Sequence, residues 1–88
     1  MINKKHITEL AELIAGIKDT KVALNFLQNI LTPQELEEIS SRLQIFKMLH
    51  KGTSQRVIAE KLGVSIGTVS RGSRELQYGP PGIKKLLS

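Results

Sequence analysis

The 88-residue chain has no cysteine and no tryptophan, and its aromatics amount to two phenylalanines and one tyrosine. Without cysteine there is no disulfide framework, no thiolate metal site and no thiol nucleophile. So few aromatics argue against a single-strand nucleic-acid binder, in which bases stack on aromatic platforms. Long hydrophobic runs are missing too: none approaches the ~20 residues needed to span a bilayer. The polar start, MINKKHITEL, is no signal-peptide core. Catalytic groups are equally thin. His6 and His50 stand alone in sequence, and no carboxylate pair, nucleophile motif or glycine-rich phosphate loop accompanies them. These absences predict a soluble, cytoplasmic, non-enzymatic single domain over residues 1–88, with no membrane and no metal. A chain this short hides only about 60% of its unfolded surface, so oligomerisation is the expected source of further stability.

What is present is charge of one sign in one place. Residues 1–41 carry four lysines against six carboxylates, a net −2, whereas residues 42–88 carry nine lysines and arginines against Glu60 and Glu75, a net +7. Such asymmetry suggests a polyanionic partner for the C-terminal half.

The periodicity is helical nearly throughout. Ile7, Leu10, Ala11, Ile14 and Ile17 recur at spacings of three and four, an apolar stripe on a first helix that ends near Gly16. Asp19 or Thr20 is placed to cap a second helix, whose Val22, Ala23, Phe26, Leu27, Ile30 and Leu31 make a face wide enough to be buried. Two such faces exceed what one short chain covers, and a partner chain is the simplest remedy. A third helix starts at LTPQE. Thr32 suits the N-cap, Pro33 the first helical position, and Glu35 completes a capping box. Its stripe is expected to be Leu36, Ile39, Leu43, Phe46 and Leu49, closed by Gly52. Arg42 lies about 60° from the centre of that stripe on a nominal wheel, where a flanking arginine snorkels along it.

SQRVIAEKLGVSIGTVSRGSREL predicts two short helices about a tight turn. Ser54 caps the first, Gly63 supplies a left-handed turn residue, and Ser65 caps the second, expected over residues 66–77. Ile58, Leu62, Val64 and Val69 have the spacing that packs crossed helices, and Ala59 must be small where they meet. This is a helix-turn-helix, whose second helix enters the major groove with its N-terminal residues foremost. A helical hairpin from some other bundle would leave the polar set Gln55, Arg56, Thr68, Ser70 and Arg74 without a purpose. Ile66, Gly67 and Thr68 lead the reading helix towards base edges and thymine methyls. Gly67, lacking a side chain, contributes only close approach. Gln55 and Arg56 are placed for phosphate, and an arginine there could also read guanine. Lys51 and Lys61 add salt-dependent attraction.

LTPQELEEISSRLQIFKMLHKG followed by SQRVIAEKLGVSIGTVSRGSREL resembles the Trp repressor family over about residues 19–87. The resemblance rests on LTP, on Arg42 ten residues after Thr32, on the SQR start and on the RGS of residues 71–73. It implies an all-α fold of about six helices and an intertwined homodimer. Residues 1–52 would form the dimerisation core, 53–78 the helix-turn-helix and 79–88 a C-terminal helix. It also implies L-tryptophan as corepressor. Arg42 and Arg71 would sandwich the indole, and guanidinium planes do stack on aromatic faces. Thr32, with carbonyls near Asn29 and Leu31 of the other chain, would hold the ligand's polar end, and Gly72 would allow the ring close approach. Where the family has a serine at the ligand's ammonium group, this chain has Glu75, and where it has a smaller aliphatic beside the indole, this chain has Phe46.

The expected function is therefore a homodimeric transcriptional repressor on double-stranded, palindromic operator DNA, with L-tryptophan as corepressor. Two alternatives stand beside it. One is a ligand-independent or differently liganded regulator on the same fold, with Phe46 and Glu75 closing the pocket. The other is a helical module that binds protein.

Overall fold

A computed structural model describes residues 2–87 of the chain. These residues form six helices and no strand: α1 (Lys4–Ala15), α2 (Thr20–Ile30), α3 (Pro33–His50), α4 (Gln55–Leu62), α5 (Ile66–Tyr78) and α6 (Gly82–Leu87). Of the expected C-terminal segment 79–88, six residues are helical and residue 88 lies outside the described range. Internal packing divides the chain into two units, residues 1–36 and 37–88, with the boundary inside α3.

In the first unit the helices are bounded by local chemistry. Asn3 caps α1 by accepting from the Lys5 and His6 N–H groups at 2.9 and 3.2 Å. Asp19, not Thr20, caps α2, accepting from Lys21 N–H at 2.9 Å. Two residues assigned to stripes fall outside their helices. Ile17 follows the end of α1, and Leu31 is the extended residue that closes α2, because Gly16 and then Pro33 stop the chain from continuing as one helix. The Thr32–Glu35 box forms in full: Glu35 N–H donates to Thr32 Oγ1 at 3.1 Å and Thr32 N–H donates to Glu35 Oε1 at 2.9 Å. Those bonds, the backbone one foremost, hold the exposed Glu35 carboxyl below the ordinary glutamate pKa. Neither α1 nor α2 has a buried residue. Ile7, Leu10, Leu13 and Ile14 on α1, and Val22, Leu24 and Ile30 on α2, remain 40–56% exposed.

The second unit has a core. Ile45, Ile58, Ala59 and Val69 are buried, and Met48, Leu49, Leu62 and Val64 pack against them. The stripe expected on α3 is corrected by this core. Ile45 is the buried residue of α3, while Ile39 and Leu43 stay more than 40% exposed. Ile45, Met48 and Leu49, at spacings of three and four, form the face that meets the helix-turn-helix; Ile45 lies about 200° from Leu43 at ~100° per residue. The helix then ends in a Schellman arrangement, with Gly52 at φ +87°. Thr53 N–H donates to Met48 O at 3.0 Å and Gly52 N–H to Leu49 O at 3.0 Å.

Candidate nucleic-acid interface

Helices α4 and α5 pack directly on each other. Their junction is set by Gly63, at φ +66°, whose left-handed backbone turns the chain without steric cost. Val64 N–H then donates to Ala59 O at 3.1 Å, closing the end of α4. Ile58 and Val69 are completely buried at the crossing, and the small Ala59 lies beside them. Each helix starts on a serine. Ser54 Oγ accepts from Val57 N–H at 3.3 Å, and Ser65 Oγ accepts from Thr68 N–H at 3.1 Å. The chain therefore enters both helices with fixed geometry, and α5 runs one residue past its expected end, to Tyr78.

The residues expected to meet nucleic acid divide into two groups. Arg56, Ile66, Gly67 and Arg74 are exposed, as are Lys51 and Lys61. Gln55, Thr68 and Ser70 do not belong to a freely exposed polar set: all three are half-buried and bonded within the motif. Thr68 Oγ1 lies 2.9 Å from Ser65 Oγ, and Ser70 Oγ donates to Gln55 Oε1 at 2.7 Å. The tertiary contact between Gln55 and Ser70, fifteen residues apart, has no signature in local spacing. The first turn of α5 thus presents Ile66 and a side-chain-free Gly67 on a rigid base. A Cβ at Gly67 would meet nothing closer than Ser65 Oγ at 3.8 Å. Nothing inside the protein requires glycine there.

The ligand residues are placed as follows. Arg42 is one turn before Ile45 on α3, and Arg71 immediately precedes Gly72 on α5; both are exposed. Gly72 is buried, and a Cβ on it would come within 2.9 Å of Ile45 Cγ2 and 3.7 Å of Leu49 Cδ1. Arg42 and Arg71 thus lie on the two helices that meet at Ile45 and Gly72, three residues and one residue away from that contact along the chain. Phe46, beside Ile45, is half-buried. The Glu75 carboxylate folds against Gly79 at the end of α5, where Gly79 N–H also donates to Glu75 O at 2.8 Å. In the first unit, Asn29 and Thr32 are exposed and Leu31 is half-buried, with Thr32 engaged in its capping box.

Among the described residues, no group of histidines and carboxylates could hold a metal ion, and no helix is long and apolar enough to cross a membrane.

Comparison with known proteins agrees with the geometry. The family model described as Trp repressor protein matches residues 5–88. A Trp operon repressor homolog from Vibrio parahaemolyticus is 40% identical over 70 residues, which are 78% of this chain and 68% of the relative. A Bacillus subtilis protein named Uncharacterized protein YerC is 31% identical over 83 residues, covering 94% of this chain and 80% of that one. The crystal structure of a TrpR like protein from Eubacterium eligens superposes with a TM-score of 0.87 at 32% identity, over 96% of this chain and 87% of that one.

Proposed function

Because the chain belongs to the Trp repressor family, and is a DNA-binding regulator of transcription rather than an enzyme, we propose that it represses as a homodimer on palindromic operators with L-tryptophan as corepressor. The observation that carries the DNA-binding part is the first turn of α5. Ile66 and Gly67 stand exposed at the head of a helix anchored by Ile58 and Val69, with Arg56 and Arg74 exposed on the same pair of helices. A rigid helix end with an apolar residue and no bulk beside it suits thymine methyls and close approach to base edges. The arginines and Lys51 and Lys61 supply the salt-dependent attraction to phosphate.

The homodimer is supported by the apolar residues that α1 and α2 leave uncovered. Patches of that kind on a small protein mark interaction surfaces. A second copy offers a matching surface, and two reading heads related by two-fold symmetry would meet a two-fold symmetric operator.

The corepressor is supported by Arg42 and Arg71. Both residues are exposed, one on each of the helices that meet at Ile45 and Gly72, so an indole held between them would bridge α3 and α5. Arginine planes stack on aromatic rings and attract a carboxylate. A ligand held there stabilises one placement of α5, which shifts the population towards the DNA-competent state. Glu75 is turned to Gly79, which leaves Arg71 without a carboxylate partner among the described residues.

A calorimetric titration of L-tryptophan tests the ligand directly. Saturable binding at one site per chain, lost in Arg71→Ala, is expected. Absence of heat at several temperatures, without thermal stabilisation, would leave a ligand-independent regulator. Operator binding that steepens with added tryptophan and weakens with salt completes the reading. Weak, salt-insensitive DNA binding would instead favour a protein-binding module.

A further inference from the structure

The hydrogen bond from Ser70 Oγ to Gln55 Oε1 joins the first residue of α4 to the fifth residue of α5. It is not a capping contact, since Ser54 and Ser65 meet the needs of the two helix starts. Both partners are half-buried, while Arg56 on α4 and Ile66 and Gly67 on α5 are exposed. A glutamine amide has two faces, an acceptor oxygen and a nitrogen with two donors. Accepting from Ser70 ties Oε1 to the protein through one of its two lone pairs, whereas Nε2 has no hydrogen-bond partner among the described residues.

This arrangement restricts what Gln55 can recognise. Glutamine reads adenine with both faces at once, the oxygen accepting from N6 and the nitrogen donating to N7. An oxygen tied to a hydroxyl has one lone pair left and a fixed direction, which restricts that bidentate pair. Two free donors suit an acceptor: a phosphate oxygen, or the O6 and N7 edge of guanine and O4 of thymine.

We infer that Ser70 is a positioning residue, not a DNA contact, and that by holding Oε1 it directs the Gln55 amide to meet acceptor atoms of DNA through its Nε2 donors. The inference rests on α4 and α5 being the DNA-binding surface. Ser70 acts through Gln55, so its loss releases the amide to rotate and to offer either face.

The test uses the full chain and duplexes that the wild-type chain selects from a randomised pool, with affinity read by fluorescence anisotropy. Ser70→Ala weakens binding by about three- to tenfold, Ser70→Thr restores it, and Ser70→Ala adds nothing in a Gln55→Ala background. Gln55→Glu keeps an acceptor for Ser70 but has no donors and repels phosphate, so it binds worse than Gln55→Ala. A base preference that changes in Gln55→Ala identifies a base edge as the acceptor. A loss uniform over sequences, with a shallower salt dependence, identifies phosphate. Additive losses from Ser70→Ala and Gln55→Ala, or wild-type affinity in Gln55→Glu, overturn the inference. If Gln55→Ala binds like wild type while Arg56→Ala does not, the inference fails and the DNA-binding reading stands. If the wild-type chain selects no duplex with or without saturating L-tryptophan, both fail.

Discussion

The two units of this chain are built from the same kind of amphipathic helix, yet only one of them has an interior. Helices α1 and α2 have well-formed caps and regular apolar spacing, but none of their residues is buried. Helices α4 and α5 are no more regular, and each buries two residues. The difference is the availability of a partner within the chain. Gly63 folds α5 back onto α4, and α3 supplies Ile45, so apolar surface on three elements is covered at once. Periodicity creates a face; burial requires something to lie on it.

That contrast makes its largest prediction in the core. Ile58→Ala removes a fully buried side chain and is expected to cost about 2–5 kcal/mol, seen as a large fall in the thermal midpoint by circular dichroism. A comparable truncation on α1, Leu13→Ala, changes little for a single chain, because Leu13 is more than half exposed. If a second copy covers it, the loss grows as protein is diluted. Charge at the same face is more severe: Leu10→Asp with Ile14→Asp should shift the mass measured by light scattering to that of one chain. An unchanged mass would remove α1 from the interface.

Gly72→Ala sharpens the comparison within the core. Its new Cβ would meet Ile45 Cγ2 at 2.9 Å, and overpacking of this kind costs about 1–3 kcal/mol. Better helix propensity returns up to about 1 kcal/mol of it. Gly67→Ala should behave in the opposite way, because a Cβ there is unhindered. It is expected to stabilise the fold by about 0.5–1 kcal/mol while weakening specific DNA binding. Unchanged DNA affinity would show that α5 does not approach DNA at this residue.

The smallest effect concerns acid. Glu35 is held below its ordinary pKa by the Thr32 bonds. Its contribution is therefore present above the unfolded glutamate value and is lost as pH falls through the lower folded value. A slight acid-side loss of stability that disappears in Glu35→Gln, and that Thr32→Ala only reduces because the backbone N–H donor remains, is the expected signature.

Legibility followed distance along the chain. The capping box, both serine caps, the glycine at the α4–α5 turn and the termination of α3 depend on groups within about six residues of one another, so their residue types announce them. The pair Ile58 and Val69 was also legible, because a tight turn of known hand leaves few ways to cross two helices. The α3 stripe was misread for a physical reason. That helix is apolar on more than one side, and a wheel cannot say which side meets α4 and α5.

The sequence by itself therefore determined the helical composition, the helix ends, the reading-head motif and the family. These follow from local hydrogen-bond demands and from side-chain spacing. Only the tertiary structure decided that Ile45 is the buried face of α3, that Gly72 is needed for the approach of α5, and that Ser70 holds Gln55. Each depends on the meeting of residues far apart in sequence, where packing selects one of several faces that the local chemistry leaves equally available.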